Sequence, residues 1–185
     1  MGKINVFNFI TLNGFYKGLH EDISWHRHGG EESEYAEEGA NSGSILLFGR
    51  VTYEMMAGYW PGPMAKQNSP VVAEGMNKSK KIVISKTLKK TDWENTRIIS
   101  ENVIEEITRL KNSSDSMITI LGSGSIITLL ANHGLIDTYQ FMIDPVALGD
   151  GTPVFNGIKN KLDLELTGSR VFKSGVVLLS YKPLK

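Results

Sequence analysis

Residues 44–54, SILLFGRVTYE, hold the ingredients of an anion site. An apolar run of strand length stops at Gly49, and Arg50-x-Thr52 opens a segment with helix-compatible spacing. A strand that ends on Gly and feeds a helix aims unpaired backbone N–H groups at one point, where the helix dipole also favours negative charge. Arg50 adds a permanent cation with a fork of donors, and Thr52 adds a hydroxyl in the first turn. The same residues equally suit a tight strand-to-helix turn carrying a solvated Arg.

Residues 118–127, ITILGSGSII, repeat the pattern: a β-branched strand, then small residues, then a helix start. Gly122 and Gly124 allow a diphosphate close to the backbone, and Ser123 and Ser125 add hydroxyl donors. Two such turns on one sheet bracket a dinucleotide. The stretch is a poor G-x-G-x-x-G fingerprint, because Ile127 stands at the third glycine position. Asp144 falls where a ribose-binding acid belongs, but Pro145 follows and too little chain remains for a second mononucleotide half. Between the turns, Ser85-Lys86-Thr87 closes a strand in a lysine-rich stretch. That stretch reads either as a solvated face or as a hydroxyl plus cation for the extra phosphate that separates NADP from NAD.

His20, Glu21, Asp22, His26 and His28 crowd one loop, which raises a metal reading, yet their spacing fits no metal motif and no metal is expected. The alternative is a loop over a substrate cleft, with Trp25 packed down and the polar residues facing water. Neither G-x-S-x-G nor a Walker A sequence occurs, so serine-hydrolase and phosphoryl-transfer chemistry lose their best evidence. Tyr53, Trp60 and Phe15 suit either a cleft lining or ordinary packing.

The elements that must carry these groups alternate. Strands are expected over residues 3–10, 44–48, 81–85, 97–100 and 117–121, and helices over 31–40, 51–59, 102–111 and from 122–125 through Asn132. Trp60-Pro61-Gly62-Pro63 reads as a hard stop, and Asn13-Gly14 as turn chemistry. After Thr138 come a strand, a Gly-rich loop and strands near 162–167, 170–173 and 176–181. This order predicts one α/β sandwich spanning 1–185, with a largely parallel sheet covered on both faces and an antiparallel C-terminal edge.

The 185 residues are 41% hydrophobic and 22% charged, and 20 basic side chains balance 20 acidic ones. No global field gathers nucleic acid, and no apolar run is long enough to cross a bilayer, so neither nucleic acid nor membrane is expected as a partner. The absence of cysteine and of a secretory leader agrees with a cytoplasmic protein.

Taken in order, TLNG, GRVTYEMMAGYWP, KIVISKTL, LGSGS and GLIDTYQFMIDPVALGDGTPVF resemble the dihydrofolate reductase-like superfamily. More closely, they resemble stand-alone proteins similar to the C-terminal reductase domain of riboflavin-biosynthesis deaminase-reductases. The resemblance implies a three-layer fold that binds NADPH and transfers a hydride to a small heterocyclic substrate (pterin, folate or pyrimidine-like) or to a carbonyl. It implies that Gly49, Arg50, Thr52, Gly122, Gly124 and Ser125 hold the cofactor's phosphates. Ser85 and Lys86 would hold the adenosine end, and Thr11, Asn13 and Gly14 would contact nicotinamide or substrate. Relatives usually carry Asp where this chain has Asn13. Dihydrofolate reductase keeps a proton-delivering acid on the helix before its second strand, where Glu31, Glu32, Glu34, Glu37 and Glu38 crowd together here. Glu32 shares a face with Tyr35, Ala36 and Gly39, which makes it the expected acid. Relatives often pair as homodimers. The competing class is a non-catalytic NADP-binding sensor or dimeric interaction protein that keeps the fold without turnover.

Overall fold

A computed structural model describes residues 1–113 and 115–184. Alternating residues of β1 (Ile4–Thr11) split between two cores, as a central strand covered on both sides requires. Ile4, Val6 and Ile10 enter the larger core, while Phe7 and Phe9 face the other side and pack against Tyr35 of α1 (Gly30–Ala40) and a small core around Met142 and Phe172. The strand β3 (Ile45–Gly49) divides likewise, with Leu47 in the larger core and Leu46 and Phe48 packed with Tyr53 of α2 (Arg50–Tyr59) and Met76.

Along the chain, β2 (Phe15–Lys17) follows β1, then α1, β3 and α2, and two further helices, α3 (Pro63–Asn68) and α4 (Pro70–Lys78). Then come β4 (Lys81–Ile84), β5 (Thr96–Ile99), α5 (Val103–Ser113), β6 (Ile118–Leu121), α6 (Gly124–Ala131) and β7 (Thr138–Asp144). The chain closes with β8 (Thr152–Pro153), β9 (Leu164–Val171) and β10 (Val177–Pro183). The main sheet runs β5-β4-β3-β6-β1-β7-β10-β9. Its first six strands are parallel, and β10 runs antiparallel to both of its neighbours, β7 and β9. Phe15 and Lys17 pair with Pro153 and Thr152 to form a separate small ribbon. Ile107 of α5 and Ile126, Ile127 and Leu130 of α6 pack on the larger core, opposite α1, α2 and α4. The expected three layers, mostly parallel sheet and antiparallel edge are all present.

Two expectations change. The hard stop after Tyr59 does end α2, but two helices for which no element was expected follow it: Pro63 and Pro70 each occupy the first turn of one, where a missing N–H costs nothing. The strands expected at 162–167 and 170–173 are one strand, β9, carried through Gly168 by its pairing with Ser180. Among the described residues, no helix is long and apolar enough to cross a membrane.

Candidate active site

Parallel β3 and β6 end side by side, and each hands its chain to a helix: Gly49 leads into α2, and Gly122-Ser123 leads into α6. The two turns are joined. Gly49 N–H donates to Ser123 Oγ at 2.8 Å, and both groups are buried. Gly122 and Ser123 take left-handed backbone angles, φ +58° and +59°, to make the sharp entry into α6. A Cβ on Gly122 would stand 3.1 Å from Thr52 Cγ2, and one on Gly124 would stand 2.7 Å from the Tyr16 ring. The Gly124 space expected for a diphosphate is therefore filled by Tyr16, and these glycines let α2, α6 and the β2 ribbon converge. In the first turn of α6, Ile126 N–H already bonds to the Ser123 carbonyl at 2.8 Å, so the donors ahead of any intrahelical acceptor are the earliest N–H groups of α2 and α6. The Arg50 guanidinium is exposed and pairs with Glu54 at 2.8 Å, and Ser125 is exposed beside them. This donor set fits an anionic cofactor.

Ser85 follows β4 at the same carboxyl edge of the sheet, since Ile84 pairs with Gly49. Its Oγ accepts from Thr87 N–H and Leu88 N–H at 3.2 and 2.9 Å, which builds a turn that leaves Lys86 exposed. Neither lines the cavity described next.

Thr52 and Gly122 open onto a cavity of about 440 Å³ between the sheet and the α1, α2 and α4 layer. Its floor includes Asn5, Phe7 and Phe9 of β1 and Thr119 and Gln140 of the neighbouring strands. Tyr35, Ala36 and Gly39 of α1 form one wall, and Met55, Met56, Trp60 and Met76 form another. Residues of the loop after β2, including Glu21, Trp25 and His26, close one side. The lining is mostly apolar. An amide chain crosses the floor: Asn5 Nδ2 donates to Gln140 Oε1 at 3.0 Å, and Gln140 Nε2 donates to Ser180 Oγ at 3.3 Å. Asn5 Oδ1 and Asn8 Nδ2 are buried without a protein partner among the described residues, an arrangement that costs about 1–3 kcal/mol per atom.

Several expected contacts fall elsewhere. Glu32 lies outside this cavity, in a second hollow beside Arg27, His28, Glu31 and Lys173, where its Oε1 accepts from Ser174 Oγ. It shares the predicted helix face, but one turn earlier than the residues that reach the cavity. Thr11, Asn13 and Gly14 also stay outside. Thr11 is fully buried, donates from Oγ1 to Asn13 Oδ1 at 2.8 Å and accepts from Phe15 N–H at 3.0 Å. Asn13 Nδ2 donates to the Leu148 carbonyl at 2.7 Å, and Gly14 turns the chain at φ +85°. These residues shape the β1–β2 turn and anchor the loop after β7. Tyr53 is core, Trp60 lines the cavity, and Phe15 pairs with Pro153.

The polar residues of the loop after β2 do not all face water. His26 is buried, stacks on Phe9 with centroids 3.5 Å apart, and bonds through Nδ1 to Asp144 Oδ2 at 2.7 Å. Asp144, weighed above as a ribose acid, is fully buried, and its Oδ1 accepts from Arg27 N–H at 2.9 Å. Burial and the neighbouring His26 push the His28 pKa down, against the pull of Asp144. Burial opposes charge on Lys17, but Glu21 at 2.6 Å and the neighbouring Tyr16 together outweigh it and raise the pKa. Burial raises the Tyr35 pKa. Among the described residues, no cluster of three His, Cys, Asp or Glu side chains can hold a metal ion.

The chain is similar to YyaP, an uncharacterized protein of Bacillus subtilis (strain 168), at 29% identity over 172 residues, which is 93% of this chain and 90% of the relative. Its fold matches a dihydrofolate reductase from Enterococcus faecalis complexed with NADP(H) and RAB-propyl, with TM-score 0.69 and 15% identity over 100% of this chain and 98% of that one. It also matches a Thermotoga maritima diaminohydroxyphosphoribosylaminopyrimidine deaminase/5-amino-6-(5-phosphoribosylamino)uracil reductase, with TM-score 0.73 and 15% identity over 99% of this chain and 57% of that one. At these identities the structural likeness is one of fold. The sequence itself matches the model of the RibD C-terminal domain over residues 2–178, and the chain belongs to that family.

Proposed function

We propose that the chain is a reductase that binds NADPH across the carboxyl edge of its sheet and reduces a small heterocyclic or carbonyl substrate held in the cavity. The observation that carries this reading is the Gly49–Ser123 bond, which sets two helix N-termini side by side at the cavity's edge. In this reading Gly49, Arg50, Thr52, Gly122, Gly124 and Ser125 form the phosphate-binding turns. Arg50 and Ser125 supply exposed donors, Thr52 meets the cofactor where the cavity begins, and the glycines hold the turns close. Lys86 and the Ser85 hydroxyl proton face the adenosine end. Thr11, Asn13 and Gly14 act at one remove, by fixing the turn that carries Tyr16 and Lys17 to the cavity.

When bound, the nicotinamide supplies a hydride. The chain's own part is to bind, orient and keep water out. Phe7, Phe9, Met55, Met56 and Trp60 give a flat ring an apolar berth, and the Asn5–Gln140 chain stiffens the floor beneath it. The Enterococcus faecalis structure of the same fold contains NADP(H), and the Thermotoga maritima protein is named as a uracil reductase, which supports the cofactor and the reaction class.

The test is NADPH oxidation, followed by absorbance, across a panel of folates, pterins, pyrimidines and reactive carbonyls. The reading expects protein-dependent oxidation with at least one of them. Tight NADPH binding with no oxidation across the panel would favour the non-catalytic sensor.

A further inference from the structure

We propose, resting on the reductase reading, that His26 is the catalytic residue that gives the substrate its proton, and that Asp144 is its positioning residue. The two stand 118 positions apart in sequence and meet at the carboxyl end of the sheet. The His26 side chain is 3% exposed, and its ring is held on three sides: by the carboxylate of Asp144, by the face of Phe9, and by the edge of His28 at 4.4 Å. Asp144 is held in turn, because its second oxygen accepts from the Arg27 N–H. Nδ1 is committed to Asp144, so Nε2, on the far side of the ring, is the nitrogen left to act. It makes no hydrogen bond among the described residues, and His26 lines the cavity.

Glu21 and Tyr35, which also line the cavity, are less suited. Both Glu21 oxygens lie 2.6 Å from Lys17 Nζ, which ties the acid to its own partner. The Tyr35 hydroxyl holds its proton more tightly than an ordinary phenol because it is buried. An imidazole is the side chain whose ordinary titration lies nearest neutral pH, which suits a general acid.

The step balances. NADPH supplies the hydride, whose electron pair forms a C–H bond at the carbon of a C=N or C=O group. The displaced π pair moves to the nitrogen or oxygen, which takes the proton from His26 Nε2. The electrons of the broken N–H bond stay on Nε2, leaving a neutral imidazole whose remaining proton, on Nδ1, still points at Asp144.

The test combines imidazole ¹⁵N NMR with kinetics, using isatin, a flat uncharged ketone, as the probe. In free protein the neutral His26 ring is expected as the Nδ1–H tautomer, and isatin binding, read by quenching of Trp25 and Trp60, is expected to move the Nε2 resonance. His26→Ala is expected to bind NADPH within about twofold of wild type, to lose about 100-fold or more in kcat for isatin reduction, and to recover part of it with added imidazole. An Nε2–H tautomer, an Nε2 signal that isatin binding does not move, or a variant with near-wild-type kcat would each overturn the assignment. Isatin that binds and moves Nε2 while wild-type protein oxidises no NADPH with any carbonyl would reject the reductase reading instead.

Discussion

The backbone N–H of Gly49 and the hydroxyl of Ser123, 74 positions apart, form one buried 2.8 Å hydrogen bond that couples the ends of two parallel strands. The bond ties together the two turns that the pairing of β3 and β6 sets side by side, so the phosphate-binding edge proposed here acts as one unit.

Replacing Ser123 by Ala leaves a buried N–H unpaired and should cost about 1–3 kcal/mol of stability by urea unfolding. Ser123 sits at φ +59°, so Ser123→Gly loses the same bond but relieves the backbone and should be about 1 kcal/mol less destabilising than Ser123→Ala. Equal losses for the two variants would contradict this account of the turn.

Arg50 spends its guanidinium on Glu54, an exposed pair one helical turn away, and such pairs are worth only about 0.3–0.5 kcal/mol. A phosphate competes for it easily. Arg50→Ala should weaken NADPH binding by about 1.5–3 kcal/mol in calorimetry, with little change in stability. Unchanged affinity would remove Arg50 from the site.

Gly124 leaves room for the Tyr16 ring, whose Cε1 would lie 2.7 Å from an added Cβ. Gly124→Ala should destabilise by about 1–3 kcal/mol through overpacking. The same substitution in a Tyr16→Ala background should cost far less, and additive losses in the double-mutant cycle would show that the ring is not what Gly124 accommodates.

Lys81 donates from Nζ to the carbonyls of Met76, Asn77 and Ser79 at 2.9, 3.0 and 2.7 Å, and burial pushes its pKa down to about 8. Between that value and about 10.4, the unfolded chain binds more protons at this lysine than the folded one, so its contribution to stability rises with pH across that window. The stability of wild type minus that of Lys81→Met, from denaturant midpoints at several pH values, should therefore increase from pH ~8 toward ~10. A flat or falling difference would contradict it.

The strand-Gly-helix junctions were legible in sequence because backbone geometry and residue type agree there: Gly49 and Gly122 end apolar runs of strand length, and the helices begin beside them. What sequence missed depends on distance or height. Pro70 starts α4, but a proline that starts a helix and one that ends a segment look alike without the packing that buries Ala73 and Met76 of the helix that follows. Helical spacing grouped Glu32 with Tyr35, Ala36 and Gly39, yet it is the later residues of α1, those three and Ala40, that reach the cavity, because spacing gives direction and not depth. Thr11 and Asn13 suited ligand contact by type, but each first satisfies a neighbouring turn. The pairing of His26 with Asp144 carries no local signal. It exists because β1 and β7 lie side by side, so Asp144 ends beside Thr11 and the loop that follows β2 folds back over it.

Binding of the cofactor is the central claim, and the most direct measurement of it is a titration of the purified protein with NADPH and, separately, NADH. Tryptophan fluorescence reports on the cavity, because Trp25 and Trp60 line it, and calorimetry checks the affinity. Tight NADPH binding with much weaker NADH binding is the predicted result, and it would support both phosphate turns and the Ser85-Lys86 end. Binding of neither would contradict the central claim: the fold would then stand without its cofactor.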